Sequence, residues 1–171
     1  MLADRMMDVA YERIDVAFRW SAAAAQVDLH ATPVAVVSWL LVASPSFIAA
    51  LGEPQSPAAL STLPCVFYWR EPSDDWWTLL CGAQRERVQV KSRYHVDNPE
   101  AVLEACLQGL GVALLPDYLC ADALIEGRLL RVLPGWTPLT RFGNQITALM
   151  PPDRMRLPRN LELLRFLTDG G

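Results

Sequence analysis

The stretch "DNPEAVLEACLQGLGVALLPDYL", residues 97–119, contains the clearest helix and strand signals of this 171-residue chain. Asn98 can cap a helix, Pro99 suits the first helical turn, and Glu100 complements the positive end of the helix dipole. Gly109 and Gly111 are expected to end this helix in the left-handed conformation. The apolar run "VALLP" that follows is typical of a buried strand. The stretch therefore predicts a helix, a turn and a strand, in that order.

This order argues against a nucleotide-binding enzyme. A dinucleotide-binding fingerprint needs a strand, then G-x-G-x-x-G, then a helix. Here a helix precedes the glycines, Leu114 stands where the third glycine should be, and a strand follows. The carboxyl end of a helix presents carbonyl groups, which repel phosphate. The chain also has no G-x-x-x-x-G-K-[ST] motif, and its only lysine, Lys91, is expected on the solvated side of a strand.

The composition predicts a folded chain that does not bind nucleic acid by charge alone. The sequence is 52% hydrophobic and 20% charged, which is enough to build a sizeable core. Its formal net charge of −4 gives little support for non-specific binding to phosphate backbones. The charged N-terminal residues do not form a secretory signal, and the longest apolar run, "PVAVVSWLLVASP", is too short to span a bilayer. We therefore expect a cytoplasmic location and no contact with a membrane.

Few residues are available for a metal site or a catalytic triad. The two histidines, His30 and His95, have no partner at the spacing of a zinc site, so neither a metal nor a cofactor is predicted. The four cysteines, 65, 81, 106 and 120, form no C-x-x-C pair and are expected to be buried and reduced. A nucleophilic pair of Cys65 or Cys106 with His95 stays open as an alternative, although no local pattern supports it.

Strand and helix signals alternate along most of the chain, which predicts α/β architecture with parallel strands in two small lobes. The segment "RVQVKSRYHV" is expected to form one half-buried strand, since its valines, Ser92 and Tyr94 alternate with polar residues. The segment "VAVVSWLLVAS" fits either one long strand or two. The predicted strands cover 14–20, 34–44, 65–69, 74–82, 87–96, 112–116, 128–136 and 145–151; the predicted helices cover 4–13, 44–52, 56–64, 97–111, 116–127 and 157–170.

Two aromatic clusters, Phe67-Tyr68-Trp69 and Trp76-Trp77, allow two interpretations. One is core packing together with a surface hairpin. The other is an apolar wall with polar groups that lines a ligand cleft, where Arg19 and Arg70 could meet an anion. The first turn of the helix that begins at Asn98 would also suit a carboxylate, although simple capping explains Asn98 equally well.

Four phrases, in this order, resemble the effector-binding domain of LysR-type transcriptional regulators and together cover nearly the whole chain. They are "DRMMDVAYERIDVAFRW", "LVASPSFIAALGEPQSPAALSTLPCV", "VDNPEAVLEACLQGLGVALLPDYLCADALIEGRLLRVLPGW" and "LPRNLELLRFL". The resemblance implies an α/β fold with two lobes, like a type 2 periplasmic binding protein, that binds a small molecule between the lobes. It implies a non-enzymatic sensor that forms homo-oligomers and responds to a small organic acid or an aromatic compound.

The resemblance also implies how the lobes and the site are divided along the chain. Residues 1–44 would form part of lobe I, residues 45–135 lobe II, and residues 136–171 a return segment that completes lobe I. The first crossover would place a hinge at Val42, Ala43 and Ser44. By position, the residues that would bind the ligand are Asp4, Arg5, Arg19, Trp20, Phe67, Tyr68, Trp69, Asp97 and Asn98.

The chain departs from the family pattern at its N-terminal side. The family's winged helix-turn-helix and linker helix have no counterpart here, so contact with DNA would need a part absent from this chain. The first strand and helix of lobe I also have no counterpart, which predicts a fragment or a late start codon and a gap within the sheet of lobe I. A free-standing solute-binding protein and a small cysteine hydrolase are the alternative functions.

Overall fold

The computed structural model describes residues 14–20, 29–68 and 71–169. The predicted helix over 4–13 lies outside these residues, as do Asp4, Arg5, Trp69 and Arg70. The chain divides into two compact units. Unit 1 comprises Met1–Val37 and Arg141–Gly171, and unit 2 comprises Ser38–Thr140.

Strands and helices occur close to where the sequence predicts them. The strands are β1 (Ala17–Trp20), β2 (His30–Val36), β3 (Trp39–Ala43), β4 (Pro64–Tyr68), β5 (Trp76–Cys81), β6 (Gln84–Gln89), β7 (Lys91–Val96), β8 (Val112–Pro116), β9 (Leu130–Arg131), β10 (Thr137–Leu139) and β11 (Gln145–Met150). The α-helices are α1 (Pro45–Leu51), α2 (Pro99–Leu107), α3 (Asp117–Ile125), α4 (Pro152–Met155) and α5 (Pro158–Asp169), and two short 3-10 helices cover Pro57–Ser61 and Pro72–Asp75.

Unit 2 contains a five-stranded mixed sheet with the strand order β7-β4-β8-β3-β9. Strand β4 runs parallel to both β7 and β8, whereas β3 runs antiparallel to β8 and β9. The prediction of parallel strands is therefore right for one side of this sheet and wrong for the other. The alternation of strands and helices does not reveal strand direction, and the long connection from β3 through α1 to β4 reverses the chain.

The core of unit 2 joins the five-stranded sheet to a second, three-stranded sheet with the order β10-β5-β6. Helix α2 contacts β4 and β8 of the larger sheet. Every cysteine in this core is free. The buried residues of the core are Leu41, Ala43, Phe47, Leu60, Cys65, Phe67, Trp77, Leu79, Val88, Val90, Val112, Val132 and Leu133.

The segment predicted as one strand over 87–96 forms two strands in different sheets, so that prediction is wrong. The change occurs at Val90, which is buried and whose N–H donates to the carbonyl of Asp75 at 2.8 Å. In β7, Ser92 pairs with Cys65 and Tyr94 pairs with Val66, which leaves Arg93 as an extra residue. This bulge reverses the alternation of faces, and Tyr94 is 41% exposed instead of buried.

The helix and strand predicted over 97–116 are both present. Asn98 caps α2, since its Oδ1 accepts from the N–H of Ala101 at 2.8 Å. The two glycines that follow have different roles. Gly109 adopts the left-handed conformation with a φ of +78°. Gly111 does not, so the prediction of a left-handed Gly111 is wrong; a Cβ atom there would lie 2.6 Å from the carbonyl oxygen of Pro64.

The predicted cap of α1 is confirmed, and the three residues expected to form a hinge lie inside unit 2. The Ser44 hydroxyl accepts from the N–H of Phe47 at 3.2 Å. Val42 and Ala43 are fully buried in β3, where Val42 pairs with both β8 and β9. The division between the two units falls earlier, after Val37.

Unit 1 contains a three-stranded antiparallel sheet with the order β1-β11-β2. Strand β11 is central, and its residues 147–150 are buried. Pro33 lies in β2, which is an edge strand of these three and pairs only with β11. A proline is tolerated there because no strand on the other side of β2 needs the N–H that proline lacks. The described strands pair continuously, so the gap expected within lobe I does not fall among them.

Ion pairs attach the segment before β1 to the C-terminal helices of unit 1. The carboxylate of Asp15 accepts from Arg154 at 3.1 Å and from Arg159 at 2.8 Å. Buried Asn160 donates to the carbonyl of Arg154 at 2.9 Å, which holds α4 against α5. These contacts bring together residues that are far apart in the sequence, and no local pattern predicts them.

The close approach of Gly111 to the backbone of Pro64 leads to a stability prediction. We expect Gly111→Ala to lower the free energy of unfolding by about 1–3 kcal/mol, because the added methyl group must push β8 away from β4. The matched control is Gly135→Ala, since Gly135 also lacks a positive φ and has no atom within 4 Å of the added Cβ. Urea unfolding measures both variants, and equal effects would contradict the packing argument.

Candidate ligand-binding site

The carboxyl ends of three parallel strands meet at one edge of the larger sheet of unit 2. Strand β4 lies between β7 and β8, and Tyr68 at its end pairs with Val96 at the end of β7. The chain that leaves β7 continues directly into Asp97, Asn98 and the first turn of α2. In open α/β sheets, ligands bind outside the carboxyl ends of the strands. This edge is therefore the candidate site of unit 2.

The first turn of α2 contributes a side-chain amide and a backbone donor to this edge. Asn98 is exposed, and its Oδ1 and main-chain carbonyl accept from Ala101 and Val102, respectively. Pro99 has no N–H, so the N–H of Glu100 is the remaining donor of this turn. Asp97 and Glu100 bring negative charge to the same turn, which works against a carboxylate ligand bound here alone.

The described aromatic residues at the end of β4, Phe67 and Tyr68, are both buried. Phe67 is only 2% exposed and packs edge-on against Trp77, with ring centroids 5.6 Å apart. Its side chain shares the core with Cys65, two residues earlier. Tyr68, the next residue, is also buried. Phe67 therefore supports the sheet edge from the core.

The adjacent tryptophans Trp76 and Trp77 also separate. Trp77 is 3% exposed and belongs to the core, whereas Trp76 is 41% exposed. The guanidinium of Arg87 lies 4.5 Å from the centroid of the Trp76 ring, on the surface of the β5–β6 hairpin. Of the two interpretations of this pair, the structure favours core packing with a surface hairpin.

In unit 1, Arg19 and Trp20 lie together on β1 and are half-buried. The Trp20 ring packs edge-on against Phe142, with centroids 5.6 Å apart, and the Arg141 guanidinium lies 4.5 Å from the centroid of the same phenylalanine. Phe142 and Arg141 were not predicted as site residues, since the sequence around them has no motif. Their proximity to Trp20 depends on the pairing of β1 with β11, which only the fold provides.

The predicted site residues that the structure describes thus fall into two groups. Phe67, Tyr68, Asp97 and Asn98 belong to the sheet edge of unit 2, and Arg19 and Trp20 belong to β1 of unit 1. Asp4, Arg5 and Trp69 lie outside the described residues. Their roles in ligand binding stay predictions.

A second depression on unit 2 has fewer features of a binding site. It is an open groove. Its hydroxyl groups already donate hydrogen bonds within the protein, since Ser61 donates to the carbonyl of Ala58 at 2.8 Å and Thr62 to that of Ala59 at 2.9 Å. Its charges are mixed. The groove is lined by Ala58, Ser61, Thr62, Glu86, Arg87, Val88, Gln89 and Lys91.

Three buried cysteines of unit 2 have the properties of inert core residues. Burial raises the pKa of the Cys65 and Cys106 thiols to about 12 and that of Cys120 to about 11. Nucleophilic cysteines need a lowered pKa, because the thiolate is the reactive form. Among the described residues, no group of three or more histidine, cysteine or acidic side chains could hold a metal ion. In the same part of the chain, no helix is long and apolar enough to cross a membrane.

Comparison with known proteins places this chain in a family. Residues 2–171 match the family described as the LysR substrate binding domain. The chain is 26% identical over 168 residues to the probable HTH-type transcriptional regulator LtrA of Klebsiella pneumoniae, covering 98% of this chain and 54% of LtrA. It is 34% identical over 139 residues to the HTH-type transcriptional regulator PtxR of Pseudomonas aeruginosa, covering 80% of this chain and 44% of PtxR.

Solved structures agree with this assignment. The regulatory domain of CrgA, a LysR-type transcriptional regulator from Neisseria meningitidis, matches with a TM-score of 0.80 and 25% identity, covering 92% of this chain and 76% of that domain. Full-length AphB, a virulence activator of Vibrio cholerae, shares the fold with a TM-score of 0.79 at 24% identity, covering 99% of this chain and 56% of AphB.

The chain belongs to the LysR substrate-binding domain family. It spans about half the length of the curated relatives described above, and those relatives are named as transcriptional regulators. The α/β fold like that of periplasmic binding proteins, expected from the resemblance, is confirmed.

The burial of the thiols predicts how alkylation proceeds. At pH 8 a thiol with a pKa near 12 is ionised to only about one part in ten thousand. We expect iodoacetamide to modify half-buried Cys81 in the native protein, and Cys65, Cys106 and Cys120 only after unfolding in urea. Peptide mass spectrometry follows each site. Rapid native alkylation of Cys65 or Cys106 would revive the hydrolase alternative.

The same pKa shifts predict a loss of stability in alkali. Thiols of the unfolded chain ionise near pH 9, whereas those of the native chain stay protonated until about pH 11–12. The free energy of unfolding should therefore hold below pH 9 and fall as the pH rises above it. Cys106→Ala should flatten this fall, and Cys81→Ala serves as the control. Urea midpoints from pH 7 to pH 10.5 that fall equally in both variants would refute the assignment.

Proposed function

We propose that this chain is the ligand-sensing domain of a transcriptional regulator and has no catalytic activity of its own. The observation that carries this proposal is the sheet edge of unit 2, where Tyr68 and Val96 end neighbouring parallel strands and Asn98 begins α2. Membership of the LysR substrate-binding family supports it. The raised thiol pKa values disfavour a cysteine hydrolase. The regulator relatives favour a sensor over a free-standing solute-binding protein.

Each unit contributes ligand-binding groups of its own in this proposal. Unit 2 supplies Tyr68, Asp97 and Asn98, with Phe67 behind them in the core. Unit 1 supplies Arg19 and Trp20. Asp4, Arg5 and Trp69 complete the proposed set, and Val42, Ala43 and Ser44 stay the proposed hinge between lobes over 1–44, 45–135 and 136–171.

The effector in this proposal is a small aromatic compound or organic acid. At the edge of unit 2, the acidic side chains of Asp97 and Glu100 favour a neutral aromatic group over a carboxylate. In unit 1, Arg19 on β1 offers a positive charge, which suits an acid.

Regulation follows if the effector binds one arrangement of the protein more tightly than another. A ligand shifts a conformational equilibrium only by its difference in affinity for the two states. We propose that this shift acts on a homo-oligomer in the cytoplasm. Contact with DNA would come from a helix-turn-helix, as the names of the relatives LtrA and PtxR indicate for those proteins.

Asn98 offers a test that separates ligand binding from helix stability. Asn98→Asp keeps a good helix cap but replaces the amide donor with a negative charge. We expect about a tenfold loss of affinity for the effector, which corresponds to one hydrogen bond and added repulsion, with an unchanged urea midpoint. The control is Asn144→Asp, an exposed asparagine of unit 1 with the same change of charge.

Isothermal titration calorimetry with pairs of aromatic acids and aromatic alcohols identifies the ligand and measures both variants. Affinity unchanged in Asn98→Asp would remove Asn98 from the site. A panel in which no compound binds would contradict the proposed effector class.

A further inference from the structure

Three side-chain polar atoms are buried without a hydrogen-bond partner among the described residues, and they belong to one region of unit 2. They are Asp75 Oδ1, Trp77 Nε1 and Thr140 Oγ1. Asp75 and Trp77 flank Trp76, the first residue of β5. Thr140 follows β10, the neighbour of β5 in the smaller sheet. Buried polar atoms in native proteins almost always have a partner, so three at one place need an explanation.

The register of β10 and β5, continued one residue past its last pair, would bring Thr140 opposite Trp77. In the antiparallel pair of β10 and β5, Pro138 pairs with Leu79 and Leu139 with Thr78. The next residues in this register would be Thr140 and Trp77. Leu79 and Pro138 are buried on the inner face of this sheet, and Trp77 and Thr140 lie two residues further along the same face.

The chemistry of the two groups defines what could satisfy them. The Trp77 indole N–H only donates, and its side chain is surrounded by the apolar core around Phe67. The Thr140 hydroxyl can both donate and accept. One oxygen atom placed at both groups would accept from the indole and exchange a hydrogen bond with the hydroxyl.

The charge of the surroundings favours a neutral oxygen. Strands β5 and β10 contain no lysine or arginine. The nearest acid along the chain is Asp75, whose Oδ2 already accepts from Gln89 at 2.8 Å and whose Oδ1 is buried without a partner. Arg141, which follows Thr140, packs on the ring of Phe142. A buried carboxylate ligand would therefore meet like charge without compensation.

We propose that Trp77 and Thr140 form a binding site for one neutral hydroxyl oxygen, that of the effector or that of a water molecule. The part that concerns the effector rests on the function proposed above, whereas the site itself does not. The site adds two residues to unit 2 beyond Tyr68, Asp97 and Asn98, and it specifies the polar group that the ligand carries.

Conservative substitutions test the site in the whole 171-residue chain without any ligand. Trp77→Phe keeps an aromatic ring and Thr140→Val keeps the shape of the side chain, while each removes one polar group. If a shared oxygen is bound, each variant lowers the urea midpoint by about 0.5 M, and the double variant loses less than the sum. The matched controls are Trp76→Phe and Thr78→Val, the neighbouring residues on the outer face.

The opposite result would overturn the site. Trp77→Phe also removes apolar ring atoms from the core and lowers the midpoint for that reason alone, so Thr140→Val carries the decision. Removing a hydroxyl that has no partner leaves stability unchanged or raises it, so an unchanged or higher midpoint in Thr140→Val would refute the proposal. Additive losses would refute a shared oxygen. If Trp77→Phe does not fold, the urea midpoints of Thr140→Val and Thr78→Val are compared, and a lower midpoint in Thr140→Val alone supports the site. The indole N–H resonance of Trp77, observed by NMR, should shift in Thr140→Val and stay in place in Thr78→Val.

Phenol and toluene distinguish the source of the oxygen. A midpoint raised more by phenol than by toluene in the parent chain, with no such difference in Thr140→Val, assigns the oxygen to an organic hydroxyl. The oxygen is assigned to water if phenol and toluene change the urea midpoint equally in the parent chain and in Thr140→Val, while the variants without ligand still show lower midpoints. Because the midpoints without ligand require no effector, this test can succeed even where the effector panel fails.

Discussion

Gly111 lies so close to the backbone of Pro64 and Cys65 that no side chain fits between β8 and β4. This contact lets Val112 pair with Cys65 directly after the end of α2. The register that follows brings the ends of β4 and β7 to one edge of the sheet, with Asn98 just beyond it. The position of the candidate site thus depends on a glycine required for close packing, whereas the nearby Gly109 adopts the left-handed conformation of a turn.

Local signals predicted the elements around this contact correctly. The caps at Ser44 and Asn98, the prolines that follow them and the apolar run of β8 act over a few residues, so the sequence shows them directly. The change of sheet at Val90 was missed because alternation continues through it, and the extra residue Arg93 shifts the faces only once β7 pairs with β4. The antiparallel direction of β3 was not predicted either, because the hydrophobic pattern of a strand does not indicate which way the strand runs in its sheet.

The candidate site shows the same division between local and distant information. Asn98 could be predicted because a cap residue and its helix are adjacent in the sequence. Trp77 attracted attention as part of an aromatic pair, yet its neighbour Trp76 is exposed, and only the strand register separates the two. No sequence pattern indicated that Thr140 would belong to a site. Its proposed position opposite Trp77 follows from the pairing of β10 with β5 across a long separation in the chain, which a single sequence does not reveal.

Trp77 is buried and Thr140 ends unit 2, so a ligand bound by both would act on the core of this unit and on its last residue. Trp77 contacts the core that joins both sheets of unit 2, and Thr140 is the last residue of that unit before the chain enters unit 1 at Arg141. An oxygen held by both groups would fix the end of β10 against the start of β5. Its binding free energy would thus stabilise one of the two segments through which unit 2 connects to the rest of the chain, the other being at Ser38. A contact at exposed Asn98 lacks this connection, so it would contribute to affinity and selectivity without the same effect on conformation.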